Sequence, residues 1–138
     1  MKKLKFLLID DSPSTNFFNK VIIEKTSMSE EIQIAKNGEE AMQILNSFYI
    51  PDLILLDLNM PIMNGWEFLD EFQKLKGHCK DAMIILMLGA ALPEEKKDLI
   101  KTISNVKGTI GKMLTNNIVM DLVIKHQENP TIDKCEVY

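Results

Sequence analysis

Asp52-Leu53-Ile54-Leu55-Leu56-Asp57-Leu58-Asn59-Met60-Pro61-Ile62-Met63-Asn64-Gly65-Trp66 is the stretch from which the fold can be read. Its Leu53–Leu56 run is apolar at every position, so a strand over Asp52–Asp57 buried on both faces is predicted, introduced by Pro51. Gly65 then starts a helix that carries Trp66, Leu69, Phe72 and Gln73 at helical intervals. A strand buried on both faces needs cover on both sides, which argues for a parallel sheet layered with helices.

The same alternation extends outward in both directions. Upstream, Leu4–Ile9 reads as a strand ending at Asp10-Asp11, with Ser12 as N-cap and Pro13 in the first turn of a helix. In that helix Phe17, Val21 and Glu24 share one side, and Phe18, Ile22 and Ile23 supply apolar surface nearby. Glu31–Ala35 is a short second strand, and Asn37-Gly38 is a turn opening a helix through Met42 and Leu45. Downstream, Met83–Leu88 is another continuous apolar strand. Pro93–Ser104 is a charged helix with Leu99, Ile100 and Ile103 as its apolar edge. Gly108–Gly111 is a weak fifth strand, and Asn116–Lys125 closes the core with Ile118, Val119 and Leu122. The pattern is five βα units, whose crossovers are almost always right-handed. After Lys125 the apolar period is lost, and the residues to Tyr138 are too few for a second domain.

Composition narrows the function classes. The 138 residues suit one domain, and 46% apolar with 26% charged residues is a globular balance. Twenty acids against 16 bases give a net charge of −4, which disfavours nonspecific binding to nucleic acid or an anionic membrane. The longest apolar runs are far below the ~20 residues of a membrane helix. Lys5 and Asp10-Asp11 interrupt the amino-terminal stretch, so no export signal is expected. Cys79 and Cys135 lack metal-site spacing and suit free thiols in a reducing cytosol. His78 and His126 are expected to face solvent, the nine methionines to fill core, and Glu94–Asp98 to form a solvated helix face. Trp66 and Phe68 are expected to serve helix packing.

In parallel α/β sheets, ligand sites lie beyond the carboxyl ends of the strands. Asp10 and Asp11 after the first strand and Asp57 at the end of the third meet that condition. Neighbouring strands would gather these carboxylates in one crevice, where they repel one another unless a cation or proton intervenes. Hard oxygen ligands of this kind suit Mg²⁺. Lys112, after the fifth strand, brings a positive charge to the same edge.

Leu8-Ile9-Asp10-Asp11-Ser12-Pro13, the Asp52–Pro61 run, Asn64–Leu69 and Lys112 together resemble the receiver domain of bacterial two-component response regulators, over about residues 4 to 125. The resemblance is to a stand-alone, chemotaxis-regulator-like receiver. It implies a doubly wound five-stranded parallel sheet of flavodoxin-like order 2-1-3-4-5 with helices on both faces. It implies a receiver domain over 1–126, with 127–138 as a tail and no output domain. It makes Asp57 the phosphoacceptor for a phosphohistidine, forming an acyl phosphate. Asp11, Asp57 and the backbone carbonyl of Asn59 would hold Mg²⁺, Asp10 would act through a bound water, and Lys112 would pair with the phosphoryl oxygens. The partners implied are a histidine kinase or phosphotransfer protein and a downstream protein target. Neither nucleic acid nor membrane is implied, and the location would be cytoplasmic.

Three positions depart from the family pattern. Gly89 stands where receivers carry Thr or Ser at the end of the fourth strand, Thr109 where they carry Tyr or Phe, and Met113 where proline follows the lysine. The acceptor set is intact while both switch positions are altered. Three functions therefore compete. The first is a phosphorylated receiver signalling by docking, with no enzyme activity beyond self-phosphorylation from small donors and self-dephosphorylation. The second is a phosphorylation-independent pseudo-receiver. The third is a small Mg²⁺-dependent phosphatase, opposed by Asn59 where a second acid would be needed and by the lack of a substrate cap.

Overall fold

The computed structural model of the chain describes residues 2–75 and 81–128. Strands and helices alternate as β1 (Leu4–Ile9), α1 (Pro13–Lys25), β2 (Ser29–Ala35), α2 (Gly38–Asn46), β3 (Leu53–Asp57), α3 (Gly65–Gln73), β4 (Met83–Leu88), α4 (Glu94–Lys101), β5 (Val106–Gly111) and α5 (Asn116–Gln127). The strands form one parallel sheet in the order β2-β1-β3-β4-β5. This is the doubly wound order expected of the sequence.

The unbroken apolar strands divide their residues between two cores, because successive side chains point to opposite faces. Leu7, Ile9, Ile54, Leu56, Ile84 and Leu86 pack with Phe68, Leu69 and Phe72 of α3 and Ala41 and Leu45 of α2. Phe6, Leu8, Leu53, Leu55, Ile85 and Met87 pack on the other side with Ile23 of α1 and Val119, Leu122 and Val123 of α5. All five residues of β3 are buried, as its composition demands.

Local chemistry fixes the helix starts. Ser12 Oγ accepts from Thr15 N at 3.2 Å, Pro13 occupies the first turn of α1, and Asn37 Oδ1 accepts from Glu40 N at 2.8 Å to start α2. At α3, Asn64 and Glu67 exchange side-chain-to-backbone bonds of 2.9 and 3.0 Å, a complete capping box.

Several edges differ from the sequence reading. The strands β2 and β5 begin earlier than expected, at Ser29 and Val106. Both are edge strands, set by hydrogen bonding to one neighbour, so Ser29-Glu30 and Lys107 need no apolar pattern to belong. Helix α4 ends at Lys101, where Thr102 Oγ1 donates to the Leu99 carbonyl at 2.6 Å and the Thr102 and Ile103 N–H groups close three-residue turns.

One expectation about burial is overturned, and the face that α1 buries is not its most apolar one. The buried face of α1 carries Asn16, Asn19 and Ile23, while Phe17 is 68% exposed. His126 does not face solvent: it is 3% exposed, because α5 runs on past Lys125 and docks that turn against the amino-terminal end of the sheet. Its Nε2 lies 4.0 Å from Asp52 Oδ1. His78, Cys79 and Cys135 lie outside the described residues. No described helix is long and apolar enough to cross a membrane.

Candidate functional site

Register brings the candidate residues together. Ile9 pairs with Leu56, Asp57 with Met87 and Leu88 with Gly111, so Asp10, Asp57 and Lys112 emerge at the same edge of the sheet. Asp10, Asp11 and Asp57 each offer a carboxylate oxygen within 4.8 Å of the others. Asp10 and Asp57 are buried, at 0% and 2% exposure, whereas Asp11 is exposed. Lys112 Nζ stands 3.2 Å from Asp57 Oδ2 and 3.6 Å from Asp10 Oδ2.

Both of these Oδ2 atoms are buried and accept no hydrogen bond. Among the described residues, the Lys112 ammonium is the cation that faces them both. Burial holds the Asp10 carboxyl above its ordinary range, with the Asp57 charge adding to the rise and the Ser12 N–H opposing it. Burial alone would lower the Lys112 ammonium, but the Asp57 and Asp10 carboxylates outweigh it and raise its pKa. Two buried oxygens that face the Lys112 ammonium, beside an exposed third carboxylate, form a hard donor set that fits a small divalent cation.

The acids are held by backbone and by α1. Asp10 Oδ1 accepts from Ser12 N at 2.9 Å, and Asn16 Nδ2 donates to the Asp10 carbonyl at 2.7 Å. Asn19 Nδ2 donates to the Lys112 carbonyl at 3.1 Å, while its Oδ1 accepts from Leu114 N at 3.0 Å. Both asparagines escaped the sequence reading. Their spacing matched a buried helical face, but a polar residue there looks like a solvent residue until its partners are known.

The loop after Asp57 is equally constrained. Asn59 N donates to Asp57 Oδ1 at 3.3 Å, Gly65 N to the Leu58 carbonyl at 3.0 Å and Gly38 N to the Met63 carbonyl at 2.8 Å. Ile62 sits at φ 69° in a tight turn closed from Met63 N to the Pro61 carbonyl at 2.8 Å, a strained conformation for a β-branched residue. Gly65 has no alternative: a Cβ there would lie 2.6 Å from the Asp57 carbonyl oxygen and 2.7 Å from Leu58 Cα.

A cavity of about 360 Å³ opens beside Asp57, lined among others by Asn59, Trp66, Gly89, Lys96 and Lys112. The space at Gly89 is open: apart from its chain neighbours, no described residue comes within 4 Å of where a Cβ would stand. Lys96 Nζ lies over the Trp66 ring, 4.6 Å from its centroid. Sequence reading placed Lys96 on a solvated face, yet it is half-buried, while its neighbours Glu94, Glu95, Lys97 and Asp98 are exposed. Thr109 is exposed on β5, opposite Leu86.

Comparison with known proteins agrees with this geometry. Residues 6–124 match the family model described as response regulator receiver domain. The chain is 36% identical to the nitrate/nitrite response regulator protein NarL of Escherichia coli (strain K12), over 70% of this chain and 51% of that protein. It is 30% identical to the chemotaxis protein CheY of Halobacterium salinarum, over 85% of this chain and 91% of that one. A two-component response regulator structure from Cytophaga hutchinsonii superimposes with a TM-score of 0.82 at 31% identity, covering 93% of this chain and all of that one. The chain spans about half the length of NarL and less of several other curated relatives, whereas it spans nearly all of CheY. With the family model covering almost the whole described sheet and its acidic edge, this chain belongs to the response regulator receiver domains.

Proposed function

We propose that the chain accepts a phosphoryl group on Asp57 from the phosphohistidine of a histidine kinase or phosphotransfer protein, and signals by docking to another protein. The observation that carries this reading is the convergence of three carboxylates and Lys112 on one sheet edge, with Lys112 Nζ 3.2 Å from Asp57 Oδ2. In this reading an Asp57 oxygen attacks phosphorus, the P–N bond of the donor breaks, and an O–P bond forms. Lys112, already aimed at that oxygen, pairs with the transferred group. Asp11, Asp57 and the Asn59 carbonyl would hold Mg²⁺, with Asp10 acting through water. The cation would offset repulsion between the carboxylate and the incoming anionic phosphoryl group.

The cleft at Gly89 bears on how the signal leaves the site. No hydroxyl stands there to follow the phosphoryl group inward, and Thr109 replaces the aromatic partner. These two positions favour the second reading, a pseudo-receiver docking its partner whatever the state of Asp57. The complete acceptor set favours the first.

Mass spectrometry after incubation with Mg²⁺ and acetyl phosphate tests the reading. One phosphoryl group should appear on the wild type, be removed by hydroxylamine, and be absent from Asp57→Ala. Calorimetry should show Mg²⁺ binding that Asp11→Ala greatly weakens. An unmodified wild-type chain would favour the pseudo-receiver, and a stable modification surviving in Asp57→Ala would place the acceptor elsewhere.

A further inference from the structure

We propose that Lys96 is the mobile cation of this site: it rests on Trp66 while Asp57 is unmodified and crosses the cavity to the phosphoryl oxygens when Asp57 is modified, filling the place left open at Gly89. The inference rests on the acceptor reading of Asp57 and deepens it.

Charge counting gives the motive. Asp10, Asp11 and Asp57 carry three negative charges, which Lys112 and one divalent cation would balance. Replacing the Asp57 carboxylate by an acyl phosphate dianion adds about one negative charge. One further cation is then required, in a cleft partly screened from water where unbalanced charge is costly.

Among the described residues, Lys96 is suited to supply it. Its neighbours Lys97 and Lys101 pair with Glu94 and Asp98 along the exposed side of α4. Lys96 makes no ion pair with a described residue and turns the other way, onto the Trp66 ring at 4.6 Å. A cation over an indole face is held more weakly than by a charge-assisted bond to a phosphoryl oxygen. The resting contact is therefore weak enough to be given up. The route is open as well, since Lys96, Gly89, Asp57 and Lys112 line one cavity and, chain neighbours apart, no described residue lies within 4 Å of the Gly89 Cβ position.

The consequence is a switch of different construction. Lys96 belongs to α4 and Trp66 to α3, so the move breaks a contact between these helices and ties the modified site to α4. A ligand shifts an equilibrium only through its differential affinity for the two states, and here the differential contact is the Lys96 ammonium.

Trp66 is the chain's single tryptophan, so its emission reports the resting contact without labelling. The experiment is titration of the full chain with beryllofluoride and Mg²⁺, beryllofluoride standing in for the phosphoryl group, followed by Trp66 fluorescence and by calorimetry. The wild type should bind and change its emission. Lys96→Met should bind roughly tenfold more weakly and show no emission change, whereas Lys96→Arg should retain both. Equal affinity in wild type and Lys96→Met overturns the role of Lys96 while leaving the acceptor reading intact. A wild type that binds no beryllofluoride removes both together.

Discussion

Asn19 joins α1 to the loop that presents Lys112: one side-chain amide donates to the Lys112 carbonyl at 3.1 Å and accepts from Leu114 N at 3.0 Å. The lysine is thus aimed at Asp57 by an asparagine far away in sequence. Because Asn19 is 1% exposed, water cannot replace its two bonds. Asn19→Ala should therefore cost about 1–3 kcal/mol of stability, measured by urea unfolding. It should also lower beryllofluoride affinity, because Lys112 loses its fixed position. Asn19→Ala with wild-type affinity would show that the loop holds Lys112 without it.

Gly65 and Gly89 flank the site and should respond oppositely to an added methyl group. At Gly65 the new carbon would overlap backbone atoms of Asp57 and Leu58, at 2.6 and 2.7 Å. Helix α3 must then retreat from β3, so Gly65→Ala should destabilise the chain by roughly 1–3 kcal/mol and impair Mg²⁺ binding. Gly89→Ala enters open space and should leave the melting temperature within a few degrees. Thermal unfolding of both variants, with and without Mg²⁺, checks the contrast.

Restoring both switch residues should enlarge the response. Gly89→Thr supplies a hydroxyl to the open side of the cleft, worth about 1.5–3 kcal/mol in a charge-assisted bond. Thr109→Tyr supplies an aromatic side chain on β5. Chemical-shift changes on adding beryllofluoride and Mg²⁺ should then spread further across α4 and β5 in the double variant than in the wild type. Large wild-type shifts that the double variant does not increase would show that the altered positions do not weaken the switch.

His126 predicts a pH dependence at the opposite end of the sheet. Burial lowers its pKa below the ordinary 6.5; Asp52 opposes the shift and Lys2 adds to it. Neither ring nitrogen has a hydrogen-bond partner among the described residues. At this residue the folded state therefore binds a proton less readily than the unfolded chain, and His126's contribution to stability is lost as pH drops below about 6.5. His126→Phe should flatten the stability change between about pH 7 and pH 5, measured by urea unfolding at each pH. An unchanged slope would assign the dependence to other groups.

The layering and the chemistry at the strand ends follow from local residue pattern. Continuous apolar strands such as Leu53–Leu56 can be buried only between two helix layers, and acids immediately after such strands fall on the ligand-bearing edge. What the local pattern left undecided were matters of partnership between distant residues. Asn16 and Asn19 occupy a buried helical face because Asp10, Lys112 and Leu114 satisfy their amides. His126 is buried because the last turn of α5 docks against the amino-terminal end of the sheet, although no hydrogen bond from a described residue meets its ring. Lys96 leaves the charged face of α4 because Trp66 stands across the cleft. Whether a polar side chain enters the interior depends on which distant elements cover it and on the partners they bring. That is fixed only when helices and strands far apart in sequence are packed together.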